Sequence, residues 1–262
     1  MRIRHSAVSG TFYPDSCEDI EHYIAHFTTT MPKLTCEGLP KALIVPHAGY
    51  IYSGITANIA YHLTASKLHN IERVVVIGPS HRVYLDGASI ALYDVFETPC
   101  ANIAVDLELC LTLKQHFDFI TFLPEAHSEH STEVQMPFIR HYFPQAKIIE
   151  CVYGNLAAEK LSMLIDKLLE DAQTLIVIST DLSHFYTQEE AVKLDTVSIK
   201  AISTLNYEAL DTCEACGITG VKGLVMSALK YHLTPHFLDY CTSYERSKDA
   251  SRVVGYASFV LT

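Results

Sequence analysis

Residues 174–184 read TLIVISTDLSH: seven residues with a continuous apolar centre, then an aspartate and, three positions on, a histidine. An apolar run of this length, rich in β-branched residues, is the pattern of a strand buried on both faces. Two further stretches repeat the design. KALIVP (41–46) runs directly into His47, and RVVVIGP (73–79) runs into Ser80 and His81. KIIECVY (147–153) is a fourth strand of the same kind, and RVVGYASFVL (252–261) reads as a further strand.

Between these strands the apolar residues recur with helical spacing. The pattern predicts helices over 15–28, 53–66, 106–116, 157–170, 188–204 and 217–232. The first is capped by Asp15 or Ser16, with Glu18 or Asp19 in its opening turn. A helix over 131–143 contains Pro137, so it should start late or kink there. Strands alternating with helices predict an α/β fold, a mainly parallel sheet covered on both faces. With no linker, repeat or low-complexity run, residues 1–262 are expected to form one domain.

In open parallel sheets, ligands bind beyond the carboxyl ends of the strands. His47, His81 and His184 each follow a different strand, so they are expected on one edge of the sheet, in one pocket with a metal ion at its centre. A single histidine in such a place more often caps a turn; it is the recurrence behind three strands that argues for a site. The glycines beside them, Gly49, Gly54 and Gly78, fit plain turn chemistry as well as close approach to a ligand. No phosphate-binding fingerprint accompanies them.

The stretch HSEHSTE (127–133) is dense in ligand-type groups. Ser131 or Thr132 could cap a helix with Glu133 in its first turn, yet two histidines three apart fit a pocket lining equally well. Cys216 precedes the last predicted helix, where a thiol's pKa should be lowered; with Cys213 it forms a lone CxxC, a weak signal by itself.

The bulk composition excludes several classes. There are 19 Lys and Arg against 30 acidic residues, a formal net charge of −11. A chain this acidic is a poor partner for nucleic acid or an anionic membrane. The opening MRIRHSAVSGTFYPD carries no secretory pattern and no window suits a membrane span, so the expected compartment is the cytoplasm. There the eight scattered cysteines should stay reduced.

Six ordered motifs then define a resemblance that runs the length of the chain: AVSGTFYP near the start, VPHAGYIYSG (45–54), IGPSH (77–81), EHSTEVQMPF (129–138), STDLSH (179–184) and CG (216–217). In these the chain resembles the Memo family, also described as protein B of the AmmeMemoRadiSam system. The resemblance implies a three-layer αβα domain similar to class III extradiol ring-cleavage dioxygenases. It implies a metal held by His47, His81 and Cys216, with Asp181 and His184 in the same pocket. His184 stands at the place of the dioxygenase acid/base histidine, and His130 and Glu133 match a motif near the site. Ser80 and Tyr50 are expected to line the pocket, with Tyr13 as a further aromatic wall, since the chain has no tryptophan. The segment CGITGVKG after the cysteine departs from the eukaryotic pattern, so the pocket's shape should differ there.

A two-histidine, one-thiolate site suits Fe(II) and oxygen chemistry first, and also admits copper or zinc. The expected function is therefore a metal-dependent oxidoreductase with His184 moving a proton. The resemblance also implies two alternatives: a metal-holding adaptor that binds a peptide or small molecule, and an accessory partner of a radical-SAM protein.

Overall fold

A computed structural model describes all 262 residues. In chain order the elements are β1 (Ile3–Arg4), α1 (Cys17–Thr30), β2 (Ala42–Val45), α2 (Tyr50–Ala65), β3 (Arg73–Pro79), β4 (Ala88–Ile90), β5 (Val95–Phe96) and β6 (Ile103–Ala104). Next come α3 (Leu107–His116), β7 (Ile120–Thr121), α4 (His130–Glu133), α5 (Met136–Tyr142), β8 (Lys147–Tyr153), α6 (Ala158–Leu169) and β9 (Thr174–Ser179). The chain ends with β10 (His184–Tyr186), α7 (Gln188–Ser203), α8 (Ile218–Tyr231), β11 (Pro235–Thr242), α9 (Tyr244–Ser247) and β12 (Val253–Leu261).

Strands β2, β9, β3 and β8 lie side by side and parallel, and every residue of β2 and β9 is buried. They form the centre of a nine-stranded sheet ordered β10-β12-β2-β9-β3-β8-β4-β7, with β11 also paired to β12. The expected C-terminal strand is present as β12 and runs antiparallel to β2, making the sheet mixed at its edges. Helix α2, backed by α1 and α5, covers one face, while α6 and α8 pack on β9 from the other. Side chains alternate along a strand. Accordingly Ile178 of β9 meets α8 at Gly220, whereas its neighbour Ser179 reaches Gln135 and Ser131 on the opposite face. The fold is thus a three-layer αβα domain.

Pro137 divides the expected helix 131–143 into α4 and α5, because proline tolerates only a first-turn position. Helix α2 starts at Tyr50, a turn earlier than its periodicity indicated. One expectation is overturned: the cysteines are not all reduced. Cys17, at the start of α1, is joined by a disulfide to Cys100 in the loop after β5. The two are 83 residues apart, a pairing that spacing alone does not reveal.

Candidate metal centre

The strand order decides the site. Because β2, β9 and β3 are consecutive neighbours, the residues after their carboxyl ends converge: His47 after β2, Asp181 after β9 and His81 after β3. Cys216 arrives from the other face, just ahead of α8, whose Gly217 N–H donates to Thr180 Oγ1 at 2.9 Å. A side chain at Gly217 would strike Thr180 at 2.6 Å, so glycine there is what lets the cysteine approach. One donor atom from each of His47, His81 and Cys216 lies within 4.8 Å of the others, and Cys216 Sγ is 3.3 Å from His47 Nε2.

The tautomer of His47 follows from counting protons. Ser179 has one hydroxyl proton, which it donates to the Ser131 carbonyl. Its oxygen already accepts from Gln135 Nε2 at 2.9 Å. The contact of His47 Nδ1 with Ser179 Oγ at 3.1 Å must therefore be a donation from the ring. Nε2 keeps its lone pair and faces Cys216. Gln135 is itself fixed, since it donates also to the Pro46 carbonyl and accepts from Tyr61. The backbone N–H of His47 donates to Asp181 Oδ1 at 2.7 Å. Burial depresses the His47 pKa to about 4, outweighing the pull of Asp181 in the other direction, so the ring is neutral at pH 7.

The Cys216 thiol behaves contrary to the helix-terminus expectation. Burial first, and then the Asp181 charge, push its pKa up to about 12, despite the Asp181 N–H that donates to Sγ at 3.2 Å. With no cation present the thiol stays protonated; a cation between it and the two imidazoles supplies the charge that makes thiolate favourable. Three convergent soft-to-borderline donors, one of them a thiol that ionises only beside a cation, are a donor set that fits a transition metal.

Glu129 completes the arrangement, and the sequence reading passed over it in favour of its neighbours. Its carboxylate accepts from the His81 backbone N–H at 2.7 Å and lies 3.4 Å from His81 Nδ1 and 2.7 Å from His130 Nδ1. Burial raises its pKa, but hydrogen bonds from His130 and His81 overcome that and hold it far below the ordinary carboxylate range. Its only sequence signal was a carboxylate immediately before a histidine. By engaging Nδ1, Glu129 leaves His81 Nε2 as the atom free for a ligand.

The remaining expected residues divide into two groups. His130 stands among the centre's rings, 5.4 Å from His47 and 4.7 Å from His81 between centroids. His184, Asp181 and His130 line one cavity of about 340 Å³, whose walls include Phe12, Tyr52 and Tyr256. His184 Nδ1 lies 2.8 Å from the Leu182 carbonyl, which can only accept, so the ring donates through Nδ1 and leaves Nε2 outside that bond. The others lie outside that cavity. Tyr50 is buried, with its ring stacked on Phe138; Tyr52, two residues on, takes the wall position. Ser80 closes its own turn by donating to the Val83 carbonyl. Glu133 turns away to receive Arg4, the N–H groups of Ala7 and Val8, and the Tyr13 hydroxyl. Tyr13 is thereby part of that anchor and is not a pocket wall.

The class is thus an α/β protein carrying a two-histidine, one-cysteine centre at the carboxyl edge of its sheet. Residues 4–260 match the family described as Memo-like protein. The chain is 33% identical over 272 residues to a MEMO1 family protein of Aquifex aeolicus, covering 99% of each. It is 35% identical over 280 residues to one from Methanobrevibacter smithii, covering 98% of each. The chain belongs to the Memo family. A solved structure of an uncharacterized protein from Escherichia coli K12 shares the fold alone, at a TM-score of 0.51 and 12% identity, covering 84% of this chain and 99% of that one. No helix is long and apolar enough to cross a membrane.

Proposed function

We propose that the chain is a metal-dependent redox protein that holds Fe(II) with His47, His81 and Cys216 and processes a small molecule in the adjoining cavity. The observation that carries this reading is the fixed tautomer of His47, whose Nε2 lone pair is aimed at the half-buried Cys216 thiol. Copper or zinc would use the same donors, and the thiolate widens the choice. Three protein donors leave coordination positions open, which supplies Lewis-acid and one-electron chemistry when the metal is bound.

The chain's own residues do the rest. Glu129 and Ser179 hold the two imidazoles by their Nδ1 sides, so the rings do not rotate away. Asp181 ties the His47 backbone to the end of β9. Phe12, Tyr52 and Tyr256 supply aromatic surface along the wall of the cavity, against which an apolar part of a small molecule can pack. His184 Nε2 takes or returns the proton that the reaction moves, with Nδ1–H anchored on Leu182.

The test is oxygen uptake by the Fe(II)-loaded protein across a panel of small molecules, with His184→Ala in parallel. We expect the variant to keep its metal and to lose activity by about 10²- to 10⁴-fold, the usual worth of a general base. If His184→Ala sheds the metal as fully as His47→Ala, then His184 is a ligand and its assignment as the base is wrong.

A further inference from the structure

A second cluster of soft donors lies away from the histidine centre and takes no part in the reading above. Cys17 begins α1, and Glu21 lies one turn further along the same face, an i,i+4 spacing. Cys100 reaches this point from the turn 98–101, which Thr98 and Ala101 close on each other. Donor atoms of Cys17, Glu21 and Cys100 all lie within 4.8 Å of one another. His141 Nδ1 of α5 approaches Glu21 Oε2 at 2.8 Å, holding the carboxylate as a supporting histidine or standing by as a fourth donor.

These two cysteines differ from the rest. Cys36, Cys110 and Cys151 are buried in the core, where a reductant or ion has no access. Cys213 and Cys241 are half-buried but have no cysteine partner. Only Cys17 and Cys100 are joined, and both are half-buried, so a small thiol or a dithiol protein can reach them.

We propose that Cys17, Cys100 and Glu21 form a second, redox-gated metal site, closed as the disulfide and open to a soft divalent cation such as Zn²⁺ once reduced. Opening takes two electrons and two protons from a dithiol reductant. One reductant thiolate attacks a disulfide sulfur, its second thiol resolves the mixed disulfide, and the products are two cysteine thiols and the oxidised reductant. A divalent cation then displaces the two thiol protons, and Glu21 contributes a third charge. Two thiolates on one zinc sit about 3.8 Å apart, from Zn–S bonds of about 2.3 Å in tetrahedral geometry, so the side chains rotate apart once the bond is broken. Either the disulfide or the shared cation ties the start of α1 to the 98–101 turn, so the fold keeps its staple in both states.

The experiment uses the Cys216→Ala chain, which removes the thiolate of the histidine centre. Reduced and oxidised samples are titrated anaerobically with Cd²⁺ and followed by thiolate-to-cadmium ultraviolet absorption. We expect one dithiolate-bound Cd²⁺ per chain in the reduced sample and none in the oxidised one. Cys100→Ser, or alkylation of the reduced thiols without any substitution, should abolish the signal. Glu21→Gln should weaken binding at least tenfold, and Cys213→Ser and Cys241→Ser should leave it unchanged. Equal uptake by both samples overturns the redox gate. No dithiolate signal after reduction, or a signal that survives Cys100→Ser, overturns the site and leaves a structural disulfide only.

Discussion

Glu133→Gln changes a charge without changing a volume, and it tests what holds the N-terminal segment over the histidine-cysteine cluster. The Glu133 side chain is fully buried, and its carboxylate serves four donors: the Arg4 guanidinium, the Ala7 and Val8 N–H groups, and the Tyr13 hydroxyl. Burial and the nearby carboxylate hold the Tyr13 phenol above its usual range, so it remains a donor. Breaking a buried ion pair from one side costs about 3–5 kcal/mol. Glu150, 3.8 Å from Arg4, remains as a partial partner, and the segment can release its N–H groups to water, so the lower end applies. Taking about 3 kcal/mol and about 2–4 °C per kcal/mol, the melting temperature should fall by roughly 6–12 °C. Residues 5–13 should also exchange their amide hydrogens faster, because Phe12, whose ring lies 4.8 Å from His130, loses its anchor. A melting temperature within about 2 °C of the parent, with unchanged exchange over this segment, would refute the reasoning.

Ser179→Ala removes the oxygen that fixes the His47 tautomer and strands the Gln135 amide. Metal affinity should drop by about 10- to 100-fold with little change in fold, measured by competition with a chelator. Metal-free protein should lose stability as pH falls from about 6.5 towards 4. His47 titrates near 4 when folded against 6.5 when unfolded, so across that interval the unfolded chain binds the extra proton. The difference is worth about 3 kcal/mol, read from denaturant midpoints at each pH, and a flat profile would contradict the buried neutral ring. Metal uptake should release a proton, since the Cys216 thiol is protonated beforehand; a calorimetric enthalpy independent of buffer ionisation would argue against that.

Much of this was legible in the residues themselves. Strands buried on both faces are nearly continuous apolar runs, so β2, β3, β8 and β9 declared themselves, and the histidines behind three of them marked the working edge. Strand order was not legible, because it is set by crossovers and long-range pairing; only the β2-β9-β3 adjacency turns three strand ends into one site. The edge strands escaped too: β11 is a half-exposed run, without the apolar continuity that identified the central strands. Tyr50 and Tyr52 differ by two residues on a helix, which puts one ring in the core and the other on the cavity wall, a distinction that needs the helix's true start. Glu129 and Glu133 are both buried acids, yet one serves the histidines and the other an arginine from the N-terminus; partners decide their roles, and partners are tertiary. For the Cys216 thiol, the helix-end argument pointed down while burial beside Asp181 pushed up, and burial is the larger effect.

The most direct test of the central claim is the metal content of anaerobically purified protein, compared with His47→Ala and Cys216→Ser, with folding of each verified by circular dichroism. The geometry predicts close to one transition-metal ion per chain at this centre, lost in both variants. A Cys216→Ser protein that retains the full metal content would contradict the account.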